Sequence, residues 1–312
     1  MVDADTQGSK RSFLFGNTLQ RTLGAFFSIA IVYFLGIYLS NNWKYISWAE
    51  VHLDYKILMV SYLALLVSFC LCVTAWKMIL RSLGVDIPAK VAIWTFAGTT
   101  LTKYIPGNVW VVGSRIYLCS EKGIAKRIAG AAILFEMLIT VVAGTWVFIG
   151  ILPFLVVRNV PSQFWILSCV LPLVLIVIYP NYIIKLLSSF LKRRVSAFAG
   201  LKISSSYLVF ATLLYVGVFF AQGIGLWFLI NSFYQLPVEN LIPIIGVHSG
   251  SWVLGFLSFI TPSGLGVREG LLSYFLKFYM PLPLSIIVSF LARLWNTLFE
   301  ILTTFIALLL RK

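Results

Sequence analysis

Long apolar stretches, separated by short polar ones, run through the whole chain. Several exceed the roughly 18 residues that a helix needs to cross a bilayer. Backbone groups cannot be hydrated within lipid, and the chain lacks the alternation of barrel strands, so these stretches are expected to be helices. The pattern predicts six membrane spans, at residues 22–40, 57–80, 128–155, 164–179, 206–230 and 284–310.

Two further apolar stretches, residues 87–120 and 241–280, are interrupted by turn-forming residues. The interruptions are Pro106-Gly107 and Pro262-Ser263-Gly264, and an arginine follows each within nine residues, Arg115 or Arg268. We interpret each stretch as a re-entrant helical hairpin. Broken helices at matching places in two halves of a membrane protein indicate a binding site near the bilayer midplane.

The order of these segments predicts an internal repeat. Residues 57–155 and 206–310 each contain a span, a hairpin and a second span, and their first spans run in opposite directions. Arg115 then corresponds to Arg268, and Glu136 to Arg293. The predicted fold is an all-α polytopic membrane protein with six transmembrane helices and two re-entrant hairpins in an inverted repeat. A cytoplasmic tail, residues 1–21, precedes one membrane domain, residues 22–312.

Composition supports a membrane location, and charge predicts the orientation. Hydrophobic residues make up 60% of the chain, charged residues 11%, and the mean hydropathy is +0.97. Of the 24 lysines and arginines, sixteen fall on the predicted side of both termini, four on the other side and four within membrane segments. This bias places both termini in the cytoplasm of a plasma (inner) membrane, and it accounts for the net charge of +14 without a nucleic-acid partner.

Ionisable residues inside membrane segments are costly and are therefore candidate site residues. Arginine suits a phosphate group, because its planar fork forms two parallel hydrogen bonds and stays charged. Helix N-termini freed by the two breaks also favour anions. The other interpretation is a static ion pair, or a side chain that reaches to the interface. The candidate substrate-binding residues are Arg115, Arg268, Lys103, Asn108, Glu269, Glu136, Arg293 and Glu300.

Several of these residues have a structural as well as a functional interpretation. Glu269 is adjacent to Arg268 and is able to balance its charge. A Glu136–Arg293 pair would link the two repeats, and Arg293 shares a helix face with Glu300. The Lys103 side chain either binds phosphate or reaches the interface. Asn108 and His248 are polar groups that line a cavity or serve packing.

The sequence contains no pattern typical of a catalytic or cofactor site. Its cysteines and histidines have no metal-ligand spacing, and no nucleophile elbow is present. The glycine-rich string around Gly264 and Gly266 follows no predicted strand, which argues against a nucleotide loop. We therefore expect no cofactor, no metal and no enzymatic activity.

Two motifs carry a family resemblance. The strings Lys103-Tyr104-Ile105-Pro106-Gly107-Asn108 and Thr261-Pro262-Ser263-Gly264-Leu265-Gly266-Val267-Arg268-Glu269-Gly270 resemble the lysylphosphatidylglycerol synthase transmembrane region, also called the flippase-like family. The resemblance extends over about residues 57–310. It implies movement of an aminoacylated lipid between leaflets, or work beside glycosyltransferases that use polyprenyl-phosphate lipids. The chain ends soon after the last predicted span, so aminoacyl transfer by this polypeptide is not expected.

The predicted function is a lipid translocase, of flippase or scramblase type. Its cargo would be an anionic or phosphate-bearing lipid, such as an aminoacylated phosphatidylglycerol or a polyprenyl-phosphate-linked sugar. One alternative is an intramembrane lipid-modifying enzyme or its subunit, with Glu136, Glu269, Glu300 or His248 as the base. Another is a secondary transporter of a small anion. The expected partners are membrane lipids, with a lipid-synthesising enzyme or a glycosyltransferase as a further candidate; the oligomeric state is not indicated.

Overall fold

The computed structural model describes residues 53–104, 109–156, 204–258 and 266–309, together with Tyr33, Ile37 and Ser40. Every regular element in these ranges is a helix. The α-helices are α1 (Tyr55–Ser82), α2 (Ala89–Ala97), α3 (Val109–Glu121), α4 (Lys126–Val156), α5 (Ser205–Asn231), α6 (Leu241–Leu257), α7 (Val267–Leu276) and α8 (Leu282–Leu309). Short 3-10 helices cover Thr100–Tyr104 and Val238–Asn240.

Five of these helical segments are long and apolar enough to cross a membrane, judged by length and composition. They are Tyr55–Ser82, Lys126–Leu152, Ser206–Asn231, Val238–Leu257 and Leu282–Leu309. Four of them coincide with predicted spans. The fifth opens the second broken stretch, where we predicted only one arm of a hairpin. The predicted spans at 22–40 and 164–179 fall outside the described residues, apart from three isolated helical positions in the first.

Both predicted breaks lie between separate helices. The 3-10 helix ends at Tyr104 and α3 begins at Val109, while α6 ends at Leu257 and α7 begins at Val267. The turns themselves, including Pro106-Gly107, Asn108 and Pro262-Ser263-Gly264, lie outside the described residues. The predicted approach of the two turns to each other therefore stays a prediction.

Local sequence explains where the helices begin and end. The Asp54 carboxylate caps α1 by accepting hydrogen bonds from the backbone of Lys56 and Ile57, at 2.8 and 3.3 Å. Gly84, at φ +83°, ends the same helix in the left-handed conformation that glycine adopts without strain. Between these points α1 is almost entirely apolar, so burial in the membrane and packing on other helices stabilise it.

The helices pack as one bundle with α1 against α5 as its most extensive contact. Helix α6 packs against α4, α5 and α7, while α3 lies on α4, α7 on α8, and α2 on α1 and α8. A Cβ atom at Gly223 would lie 2.6 Å from the Cα atom of Ile245, so this glycine allows α5 and α6 to approach closely. Trp76, Phe219 and Leu226 are fully buried at these contacts.

Candidate functional site

The first polar cluster lies where α3 faces α4, and we call it the buried cluster: Arg115, Glu136, Thr99 and Tyr215. The Arg115 guanidinium forms an ion pair with the Glu136 carboxylate, and its Nε atom donates to the Thr99 hydroxyl at 3.0 Å. The Tyr215 hydroxyl donates to the second Glu136 oxygen at 3.1 Å. The turn that follows α2, through Thr99, and α5, through Tyr215, therefore both contribute to this one pair.

Aromatic rings complete the surroundings of Arg115. Its guanidinium carbon lies 5.1 Å from the centre of the Trp76 ring and 4.8 Å from that of Phe96, within range for cation–π interaction. Arg115 is 5% exposed. Its charge is thus met by a carboxylate, a hydroxyl and two ring faces, and the side chain is closed off from outside ligands in this conformation.

The second polar cluster lies among α7, α8 and the 3-10 helix Thr100–Tyr104. We call it the open cluster: Lys103, Arg268, Glu269, Arg293 and Glu300. Within it, the Glu269 carboxylate forms an ion pair with Arg293 through one oxygen. Its other oxygen accepts a hydrogen bond from the Gly266 backbone at 2.7 Å. Glu269 thereby caps the N-terminus of α7 and binds it to α8.

Glu300 is the second carboxylate of the open cluster, and both of its oxygens are also engaged. One oxygen accepts from the Lys103 ammonium group, and the other accepts from the Tyr104 hydroxyl at 3.0 Å. The Tyr104 hydroxyl also lies 2.8 Å from that of Thr297. These contacts connect the segment just before the first break to the last helix of the chain.

Arg268 is the residue of the open cluster for which the described part of the chain supplies no such partner. Among the described residues it forms no ion pair and no side-chain hydrogen bond, although its charge interacts with Glu269, Arg293 and Glu300. Arg268 is partly exposed. Its position depends on Gly255 of α6, because a Cβ atom there would lie 2.9 Å from the Arg268 Cβ atom.

The open cluster is accessible, unlike the buried one. The side chains of Lys103, Arg293 and Glu300 are 37%, 21% and 18% exposed, whereas Glu269 is 3% exposed. Arg293, Thr297 and Glu300 form a polar stripe along α8, and the neighbouring stripe carries exposed leucine and isoleucine side chains. These apolar residues are Leu294, Leu298 and Ile301. The polar groups therefore border a surface suited to lipid chains.

One predicted pairing is wrong. Glu136 does not pair with Arg293; it pairs with Arg115, because α3 packs directly on α4 and brings that arginine to it. Arg293 pairs instead with Glu269, because α7 packs on α8. The charge of Glu269 interacts with that of its neighbour Arg268, as expected, but its direct ion pair is with Arg293. Successive residues on a helix point in different directions, so Glu269 and Arg268 do not face each other.

The candidate bases of an enzymatic mechanism all have partners. Glu136, Glu269 and Glu300 are engaged by cationic groups, as described above. His248 is 2% exposed, and its Nε2 atom lies 3.1 Å from the Gln222 side-chain oxygen. Gln222 in turn donates to the Ser68 hydroxyl at 3.2 Å, so His248 belongs to a polar contact joining α6, α5 and α1.

The structure adds polar and aromatic residues that the sequence analysis did not single out as site residues. Thr297 lies four residues after Arg293 and three before Glu300, a spacing that places all three on one helix face. Its role was therefore readable from the sequence. Tyr215 comes from α5, distant in sequence from Glu136, and no local pattern indicates that contact.

Within the described ranges, no group of three histidine, cysteine, aspartate or glutamate residues is arranged to hold a metal ion. No protein-family model, no curated protein and no solved structure matches the chain. The geometry of the two clusters is therefore the basis for assigning a function.

Proposed function

We propose that the chain is a membrane lipid translocase that moves an anionic, phosphate-bearing lipid between leaflets. The observation that carries this proposal is Arg268, a partly exposed residue whose guanidinium lacks an ion-pair partner among the described residues. Both carboxylates beside it are already engaged. An intramembrane charge without a partner is unfavourable, so an anionic ligand stabilises this arrangement.

The lipidic nature of the ligand follows from the surface around the cluster. The polar stripe of α8 lies next to exposed Leu294, Leu298 and Ile301. A phosphate headgroup at Arg268 is thus able to keep its acyl or prenyl chains against this apolar stripe. A site for a small soluble anion has no need of such a border, which is why we favour a lipid.

An inverted repeat provides the mechanism that we propose. Contacts between α-helices support a relation of α1–α4 to α5–α8. The contact of α4 with α6 corresponds to that of α8 with α2, α5 with α6 to α1 with α2, and α3 with α4 to α7 with α8. The ion pairs Arg115–Glu136 and Glu269–Arg293 occupy corresponding helices with their signs exchanged. Rocking of one half against the other would expose the headgroup to each leaflet in turn.

The orientation of the chain is part of the proposal, with six spans, two hairpins and both termini in the cytoplasm. Cysteines introduced at Ser9 and Asn240 should then be labelled from opposite sides of sealed membrane vesicles by an impermeant maleimide. Labelling of both positions from one side would overturn this topology.

The test of function is leaflet exchange of a fluorescent phosphatidylglycerol in proteoliposomes. Arg268→Gln should lower the exchange rate by about tenfold or more, because a charge-assisted hydrogen bond to the phosphate is lost. Arg268→Lys keeps the charge but loses the two-point geometry, so it should be impaired as well. Rates are normalised to folded protein, measured by size-exclusion chromatography.

The matched control is Lys277→Gln, which removes one positive charge from the end of the same helix. Lys277 is exposed and lies outside the open cluster, against the rings of Tyr274 and Phe278. Its exchange rate should equal that of the wild type. Equal rates for Arg268→Gln and the wild type, or no wild-type exchange above that of protein-free vesicles, would overturn the proposal.

A further inference from the structure

The charges of the open cluster do not balance. Lys103, Arg268 and Arg293 supply three positive charges, and Glu269 and Glu300 supply two negative charges, which leaves a net charge of +1. The buried cluster adds nothing to this count, because Arg115 and Glu136 neutralise each other. Within an apolar environment, a bound headgroup is favoured most when it brings the total to zero.

A single negative charge is what a phosphodiester carries. A phosphomonoester carries a second charge once its second proton is lost, with a pKa of about 6. Binding a phosphomonoester in that form would convert the cluster from +1 to −1, so the added charge would again be uncompensated. The charge count therefore separates two classes of lipid headgroup that share the same phosphate chemistry.

Glu300 is the carboxylate that determines the net charge at the accessible side of the open cluster. Its carboxylate forms an ion pair with the Lys103 ammonium group and so offsets one of the three positive charges. Glu269, in contrast, is nearly fully buried and caps α7, so its carboxylate serves the fold as well. Glu300 is 18% exposed, and in the described ranges its carboxylate oxygens accept hydrogen bonds from the side chains of Lys103 and Tyr104.

We infer, on the basis of the proposed function, that Glu300 is a specificity-determining residue. It restricts the site to headgroups with one negative charge, which means phosphodiester lipids in preference to doubly ionised phosphomonoester lipids. Replacement of Glu300 by a neutral residue removes one negative charge and raises the net charge of the open cluster to +2. The preference should then move toward the phosphomonoester.

The experiment compares leaflet exchange of fluorescent phosphatidylglycerol with that of fluorescent phosphatidic acid, at a pH near 8. The variants are Glu300→Gln, with a net cluster charge of +2, and the double variant Lys103→Gln/Glu300→Gln, which returns to +1. Glu121→Gln is the matched control, since it makes the same change in charge at an exposed residue at the end of α3. Folding of each variant is checked by size-exclusion chromatography.

The wild type and Glu121→Gln should prefer phosphatidylglycerol. Glu300→Gln should shift the ratio of the two rates toward phosphatidic acid by about tenfold or more, as expected for one unit charge acting over roughly 10 Å. The double variant should restore the wild-type ratio. An unchanged ratio in Glu300→Gln, or a double variant that behaves like the single one, would overturn the inference.

A measurement on the wild type alone keeps the inference testable if Glu300→Gln does not fold. Exchange of phosphatidic acid should fall as the pH rises through the second ionisation of its phosphate, near pH 6, while exchange of phosphatidylglycerol stays level. Parallel profiles for the two lipids would refute charge selection. If the wild type exchanges phosphatidylglycerol and phosphatidic acid equally well, the inference about Glu300 is refuted while the proposed function stands. If the wild type exchanges neither lipid, the proposed function itself is overturned.

Discussion

We predict that the ion pair of the buried cluster stabilises the folded protein, independently of any role in transport. Replacing Glu136 with leucine leaves the Arg115 charge in an apolar site, where it keeps only the Thr99 hydroxyl and two aromatic faces. Loss of one partner from a buried ion pair costs about 3–5 kcal/mol. The remaining ring contacts offset part of that loss, so we expect the free energy of unfolding to fall by about 3 kcal/mol.

Two milder variants separate the loss of the Glu136 charge from the loss of a single hydrogen bond to it. Glu136→Gln keeps an oxygen that is able to accept from Arg115 but loses the negative charge, so about 1.5–2 kcal/mol should be lost. Tyr215→Phe removes one hydrogen bond to the Glu136 carboxylate and should cost about 1 kcal/mol. The assay is reversible unfolding in mixed micelles with increasing sodium dodecyl sulfate, followed by tryptophan fluorescence.

The double variant Arg115→Met/Glu136→Leu tests whether the two residues act as a pair. Apolar replacement of a whole buried ion pair is often neutral, so the double variant should be more stable than Glu136→Leu alone, with a coupling energy of at least about 2 kcal/mol. Its lipid exchange should also be retained, because Arg115 is closed off from ligands. Additive losses for Arg115→Met and Glu136→Leu, each measured singly, or a Glu136→Leu variant within about 0.5 kcal/mol of the wild type, would refute the reasoning.

Two further predictions concern a loop carboxylate and a glycine contact. Hydrogen bonding to Arg81 lowers the pKa of the Asp86 carboxyl. The contribution of this pair to stability is therefore complete above the ordinary aspartate pKa of about 4. It is lost as the pH falls through the lowered pKa of Asp86. Asp86→Asn should therefore be less stable than the wild type near pH 7, and the difference should vanish near pH 2 in thermal unfolding. Gly255→Ala should displace Arg268 and slow lipid exchange, whereas Gly113→Ala, which has open space around it, should leave exchange unchanged; equal rates in both variants would contradict the role of this contact.

The sequence was sufficient to predict four of the five described helices that are long and apolar enough to cross a membrane. The spans expected at 57–80 and 206–230 correspond to Tyr55–Ser82 and Ser205–Asn231, and the ends agree within two residues. This agreement has a simple cause, because a membrane helix must be apolar for its whole length and polar residues mark its ends. The second broken stretch was harder to interpret, since α6 has both the length of a span and the position of a hairpin arm.

The partners of the charged residues were not predictable in the same way. Apolar patterning indicates which helix carries Arg115, Glu136 or Arg293, but partner choice depends on which helices adjoin and how each is rotated. The packing of α3 on α4 and of α7 on α8 decides both pairs, and neither contact is encoded in a local spacing. Arg115 and Arg268 look equivalent in the sequence, yet one is enclosed by aromatic rings and the other is partly exposed.

One local difference between the halves accounts for this contrast. In the second half, Arg268 is followed by Glu269, and it is Glu269 that reaches α8 to pair with Arg293. In the first half, Ser114 precedes Arg115 and an isoleucine follows it, so the arginine itself must satisfy Glu136 on α4. The neighbouring glutamate thus releases Arg268 from a structural role, because the ion pair between the two helices forms without it. Under the proposed repeat, the second half contains both an interhelical ion pair and an additional arginine, which the proposed function assigns to the ligand.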